Sequence, residues 1–393
     1  MIFNRPQLAE QMAQQLLNPG VLDEGLRSGL FLSGLRRTGK TTFILADLIP
    51  ALEEKGALVV YVDLWSDTLT SPTELLHKAL LKKLTELQEP SSNALATLKR
   101  INGLDLGGFG FKFGFKLQEI GKPGGTTLAQ VLTEVVDLAK TNLVLIVDEV
   151  QQAMTTDEGQ NLLLALKAAR DAINPRPTTP GHFLFIGTGS HRAQLSELTT
   201  KRNQAFAGAT SANYPLLGSD YVQFLIDRVS EQIASDRLPS MAVANNAFAT
   251  LGHRPEEMIK ALNQMIRQGS DPDVVLPIIA GTLRSSAADN EILKVESLGQ
   301  VAVAIFAKIA ASEEPVKMVF SSDAAKEYSE FVGREVKVDE IQPVVNALMA
   351  DNLIMRKGHG AYTVSDPFVG AIWRESQRLS VFGNAVAEKG ETE

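Results

Sequence analysis

The chain predicts an α/β domain built on a buried parallel sheet, followed by a small helical module and a C-terminal winged helix-turn-helix. Three observations predict it. Residues 29–33, 57–62, 143–147 and 183–187 are short apolar runs (GLFLS, ALVVYV, LVLIV, FLFIG) with helical patterns between them. That alternation is the pattern of strands covered on both faces. Further on, YVQFLIDRVSEQI and EEMIKALNQMIRQ carry apolar residues at helix spacing with no strand between them. Last come helices followed by LIMRKGHGAYTVSD, which reads as a two-stranded hairpin turning at Gly358-His359-Gly360.

At 393 residues the chain exceeds one ordinary core, so several domains are expected. The pattern places a nucleotide-type domain at 1–217, a helical lid at 218–290, a winged-helix domain at 291–380 and a frayed tail at 381–393. The third of these opens with one long amphipathic helix, VESLGQVAVAIFAKIAA, followed by helices around DAAKEYSEFVG and DEIQPVVNALMADN. Within the first, residues 101–125 are rich in Gly and alternate Phe with Lys or Gly, as an exposed strand or hairpin does. Two readings of this insertion stand: a structural addition at the sheet edge, or a strand that docks a partner.

Composition closes several routes. The absence of cysteine removes disulfides, zinc–thiolate sites and thiol catalysis. A net charge of −8 makes the whole molecule a poor electrostatic match for DNA or anionic lipid, so nucleic-acid contact requires a local patch. No apolar run reaches the roughly 18 residues needed to span a bilayer, and the opening MIFNRPQLAEQMAQQ lacks a basic segment leading into an apolar stretch. The expectation is a cytoplasmic protein without a membrane partner.

The chemistry concentrates in two motifs. Gly34-Leu35-Arg36-Arg37-Thr38-Gly39-Lys40-Thr41 matches G-x-x-x-x-G-K-[ST] directly after the strand FLS and opens the helical stretch TTFILADLIPALEEK. Glycines let the backbone N–H groups curl around phosphate, and the helix N-terminus adds partial positive charge. Lys40 then reaches the β- and γ-phosphates and the Thr41 hydroxyl ligates Mg²⁺, with Thr42 a weaker candidate. Arg36 and Arg37 either touch phosphate or stand in solvent.

The second motif is LVLIVDEV, which sets Asp148 and Glu149 at the end of a buried strand. Asp148 is expected to hold Mg²⁺ through water, and Glu149 to orient and deprotonate the attacking water. An acid directly after the Mg²⁺ aspartate and the lack of an N-K-x-D motif favour ATP over GTP. FLFIGTGS ends a further strand with Thr188 and Ser190 where a γ-phosphate sensor belongs, although Ser190 equally suits capping of the next helix. In HRAQLSELTTKRNQ, Arg192, Lys201 and Arg202 are basic. Arg202 is either a cationic finger acting across a subunit interface or a solvated charge.

GLRRTGKTT, LIVDEVQQ, IGTGS, GHRPEEMIKAL and AYTVSDPFVGAIW together resemble archaeal-type ATPases of the STAND branch, close to AAA+ proteins and origin-recognition ATPases. That resemblance implies an ASCE-like P-loop NTPase core and spans nearly the whole chain except the insertion. It implies a lid helix opening at Gly252, Arg254 and Pro255, with Arg254 a candidate γ-phosphate sensor or an ordinary helix-start residue. It also implies that FNRP, through Arg5 and Pro6, packs near adenine. Many AAA+ members have Asn at the first sensor, where this chain has Thr188 and Ser190, so a slow switch is expected rather than a hexameric motor.

The helix expected to read a groove, VDEIQPVVNALMADN, carries Asp339, Glu340 and Asp351 and no Lys or Arg. The wing, with Arg356, Lys357 and His359, suits phosphate contact better. Three functions stay open on these residues: a regulatory ATPase whose winged helix binds protein or a second copy, an ATPase acting on DNA in replication, transposition or defence, and a scaffold that binds nucleotide without hydrolysis.

Overall fold

The computed structural model describes residues 2–67, 69–87, 125–190, 192–202, 204–357 and 360–375. The insertion at 101–125, save its last residue, lies outside the described residues, as do the hairpin tip at 358–359 and the tail. The chain divides into two units, Met1–Pro215 and Leu216–Glu393.

The first unit is a five-stranded sheet in the order β2-β3-β4-β1-β5, all pairs parallel. Its strands are β1 (Leu30–Ser33), β2 (Leu58–Asp63), β3 (Leu143–Asp148), β4 (Phe183–Gly189) and β5 (Thr210–Asn213). Because side chains alternate across a strand, β3 sends Leu143, Leu145 and Val147 into one apolar layer and Val144 and Ile146 into the other. The first layer lies under three helices, Pro72–Glu86, Leu128–Ala139 and Asp157–Ile173; the second lies under Pro6–Leu17 and the helical stretch after the phosphate loop. That stretch passes from Lys40–Phe43 through a π-helical turn, Ile44–Leu48, into Ile49–Glu54. Sheet coverage on both faces is why these strands read as continuous apolar runs. β5 escaped that reading because TSAN has no such run: it is an edge strand of alternating burial held by pairing to β1.

In the second unit come four helices, Ser219–Ser230, Met241–Thr250, Pro255–Gln268 and Pro272–Ser297. The helix Gln300–Ala310, a two-residue strand β6 (Val316–Lys317), the helices Ser322–Val332 and Val338–Ala350, and the strands β7 (Ile354–Arg356) and β8 (Ala361–Val364) follow. The strands form an antiparallel sheet in the order β6-β8-β7 over a core that includes Ile305, Phe306, Tyr328, Ile341, Leu348, Tyr362 and Trp373.

Two sequence expectations change here. The boundary at 290/291 falls inside the helix Pro272–Ser297, whose Val295 already belongs to the C-terminal core. The single long helix over 295–311 is two helices, because Gly299 sits between them at φ +96, a backbone conformation helices do not contain.

Candidate active site

β1 ends at Ser33 and the helix opens at Lys40, so residues 34–39 form the loop between them. The loop needs two left-handed residues: Gly39 at φ 86, which glycine adopts freely, and Arg37 at φ 64, which costs a side-chain-bearing residue roughly 1 kcal/mol. Thr38, buried, donates from Oγ1 to the Leu35 carbonyl at 2.8 Å and ties the curve. Lys40 is only 6% exposed, and its Nζ lies 3.8 Å from Glu149 Oε1. Burial holds its ammonium below the usual lysine range; Glu149 and Asp148 oppose this, and the nearby Arg36 adds to it.

Asp148 is buried at the end of β3 and its carboxylate is shared among three hydroxyls. Thr41 Oγ1 donates to Oδ2 at 2.7 Å, Tyr61 donates to the same oxygen at 3.3 Å, and Thr188 Oγ1 donates to Oδ1. Thr41 and Asp148, the two expected Mg²⁺ ligands, are thus in direct contact. Their donor set of oxygens suits a hard cation that takes one or two protein oxygens and fills its other positions with phosphate and water. Burial pushes the Tyr61 phenol well above its ordinary range, with Asp148 adding to the effect, so it stays a donor. In the sheet register Asp63 is opposite Asp148, and burial raises its carboxyl; the Trp65 N–H bond lowers it, while Asp148 and Glu149 add to the rise.

Glu149 follows at φ 52. Its Oε2 accepts from the Gln151 amide and from the Ser190 hydroxyl at 3.2 Å, while Oε1 faces Lys40. Gly189 permits this: a Cβ there would collide with the Gln151 side-chain oxygen and with Leu195. Arg36 completes the edge. Its Nε donates to Ser190 Oγ at 3.3 Å and its guanidinium lies 4.6 Å from the centroid of the Trp65 ring.

Lys40, Thr41, Asp148, Glu149, Thr188, Ser190 and Arg36 therefore converge, with Arg36 and Thr41 reaching the others from exposed positions; Arg37 and Thr42 are likewise exposed, on the loop and first helical turn. Arg5, at the start of the first helix with Pro6 as its first residue, donates to the Pro215 carbonyl at 2.7 Å and to the Tyr214 hydroxyl at 3.3 Å. Tyr214 stands beside Phe43 and Gly34, so the FNRP segment is tied to the flank of the loop. Arg202 is exposed in the turn after the helix Arg192–Thr200; Arg192 donates to Asn213 and Lys201 pairs with Glu197. Arg254 precedes Pro255, the first residue of its helix, and pairs with Asp366 while its guanidinium lies 4.4 Å from the Phe368 ring centroid. Arg356 and Lys357 are exposed at the end of β7.

Sequence reasoning missed Tyr61, Asp63, Trp65 and Gln151. Tyr61 was hidden in the apolar run 57–62 and Asp63 stood just beyond it; only the pairing of β2 with β3 sets Asp63 opposite Asp148 and brings the Tyr61 hydroxyl to the same carboxylate.

A glycine-bounded loop with a buried lysine, a hydroxyl on a buried aspartate and an acid after it form a P-loop-type site at the carboxyl edge of a parallel sheet. Residues 24–195 match the family model described as AAA domain, and that stretch holds both motifs. The chain thus carries a P-loop domain of the AAA type. Its fold is similar to that of the Walker-type ATPase of Pyrococcus abyssi at 17% identity, with 95% of this chain and 96% of that one covered and a TM-score of 0.58. It is also similar to the ORC2 protein of Aeropyrum pernix, solved in ADPNP–ADP complexes, at 13% identity over 95% and 94% of the two chains, with a TM-score of 0.51. Comparison with curated protein sequences returns no match.

Proposed function

We propose that this protein is a Mg²⁺-dependent ATP-binding and hydrolysing switch whose nucleotide state is passed to a C-terminal winged helix that binds a partner. The observation that carries this is the meeting of Lys40, Thr41, Asp148 and Glu149 within one unit at the open end of the sheet. The nucleotide seen with the similar Aeropyrum protein adds support from a related fold. When bound, Mg²⁺ supplies charge neutralisation on the phosphates. The remaining work falls to the chain's own groups. Lys40 exchanges Glu149 for the β- and γ-phosphates, and the loop N–H groups cradle them. Glu149 takes the proton of the attacking water, and Thr188 holds Asp148 in position. Arg254 reads the γ-phosphate in this scheme only after leaving Asp366, and Arg202 acts only from a neighbouring copy.

The winged-helix reading of the second unit is supported by its order of helix, short strand, two helices and hairpin. Acidic Asp339 and Glu340 in the first turn of the second of those helices, with Asp351 just past its end, favour a protein partner or self-association. One observation favours DNA: the exposed Arg356 and Lys357 beside the hairpin turn. Among the described residues no helix is long and apolar enough to cross a membrane, and a cytoplasmic location is part of the proposal.

Steady-state hydrolysis tests the core of it. Lys40→Ala is expected to lose ATP binding by at least about 100-fold, and Glu149→Gln to bind ATP while turnover falls by about 100-fold. Normal hydrolysis by Glu149→Gln would mean that another group is the base; binding without hydrolysis by the wild type would leave a scaffold.

A further inference from the structure

We infer that Arg36 is the residue by which this site tells ATP from ADP, exchanging Trp65 and Ser190 for the γ-phosphate. This rests on the ATPase reading above. The first argument is place. Arg36 Nε reaches Ser190 Oγ, and that hydroxyl reaches Glu149 Oε2, so the guanidinium stands one hydroxyl away from the acid proposed as the base. That is the γ-phosphate end of the loop, whereas ADP ends one phosphate short of it.

The second argument is charge. Lys40 Nζ lies 3.8 Å from Glu149 Oε1 while Arg36 reaches Oε2 of the same carboxylate through Ser190, so the two cations of the loop approach one point. Two cations brought together beside backbone N–H groups form a place for an anion. The third is what Arg36 holds meanwhile. A stack on the 40%-exposed Trp65 and one bond to a neutral hydroxyl are both weaker than charge-assisted bonds from a guanidinium to phosphate. A γ-phosphate therefore outcompetes them, and ADP does not.

The exchange also reaches the base. Ser190 Oγ accepts from Arg36 while donating to Glu149, and a hydroxyl that loses its donor donates less strongly. Glu149 is then held less firmly when ATP is present than when ADP is. Arg36 acts on Glu149 as a positioning residue, through Ser190.

The chain has two tryptophans, and the other, Trp373, is packed on Phe306 in the second unit. Emission of the wild type minus that of Trp65→Phe therefore isolates Trp65. Mg²⁺-ADPNP is expected to change this difference signal and Mg²⁺-ADP to leave it unaltered. Arg36→Ala should bind ADP within about twofold of wild type and ADPNP about tenfold more weakly, with Arg36→Lys between them. A Trp65 signal indifferent to bound ADPNP, or an Arg36→Ala variant that keeps the wild-type preference for ADPNP over ADP, overturns the inference. Failure of the wild type to bind either nucleotide overturns the ATPase reading itself.

Discussion

The carboxylate of Asp148 accepts from Thr41, Tyr61 and Thr188 at once, and these three partners differ in what they hold. Thr41 is exposed and free to turn to a metal. Thr188 is fully buried, so its hydroxyl has nowhere else to go. Thr188→Val keeps the shape and leaves Oδ1 of the buried Asp148 carboxylate with the Glu149 backbone N–H, at 3.1 Å, as its remaining donor, which should lower stability by roughly 1–2 kcal/mol in urea titration. Tyr61→Phe removes a longer bond at a half-buried site and should cost under about 1 kcal/mol. If the two variants melted alike, Asp148 would not depend on the buried contact. Residues whose type is forced by chemistry were legible in the sequence: the loop lysine, its threonine and the acidic pair. Those whose role comes from register were not, because Tyr61 in LVVYVD looks like core and becomes a donor to Asp148 only when β2 pairs with β3. Gln151 was hidden for a like reason: it reaches Glu149 only because Gly189 on the neighbouring strand lacks a side chain.

Elements were legible where apolar runs or helix spacing were strong, and the misses share a cause. β5 and β6 are short edge strands held by hydrogen bonds to a neighbour, a feature that residue type does not encode. The helix break at Gly299 was hidden by apolar spacing that continues across it. At this scale Arg254 has the sharpest consequence. It joins the start of the helix Pro255–Gln268 to Asp366 and Phe368, residues that follow β8. Burial raises the Asp366 carboxyl above its usual range, and Arg254 restrains that rise. A carboxyl raised on folding contributes stability below its unfolded value, lost as pH climbs through the folded one. Without Arg254 the folded value climbs further, so Arg254→Ala should destabilise the second unit by about 1 kcal/mol near pH 7.5, where a half-buried carboxylate is left without its ion-pair partner. Near pH 4 the protonated carboxyl should shrink that cost to under about half. Thermal melts of the variant at the two pH values check the sign; a cost larger in acid would mean that Asp366 titrates in the opposite direction.

For the whole molecule the open matter is what the second unit touches. A net charge of −8 repels a duplex on average, and the helix Val338–Ala350 bears acids in its first turn where a groove-reading helix would carry basic or amide side chains. Against this stand Arg356 and Lys357, exposed at the hairpin. Two such residues neutralise at most about two phosphates, which gives a salt slope near −2 and leaves affinity weak at physiological salt. Duplex retardation is therefore expected only at low salt and should vanish in the Arg356→Ala/Lys357→Ala double variant. ATP turnover should stay within about twofold with or without duplex, since weak backbone contact has little differential energy with which to bias a conformational equilibrium. Turnover raised severalfold by duplex at about 0.15 M salt and lost in the double variant would reverse the assignment. It would make DNA the ligand that the nucleotide state controls and leave the acidic helix to face something other than the groove.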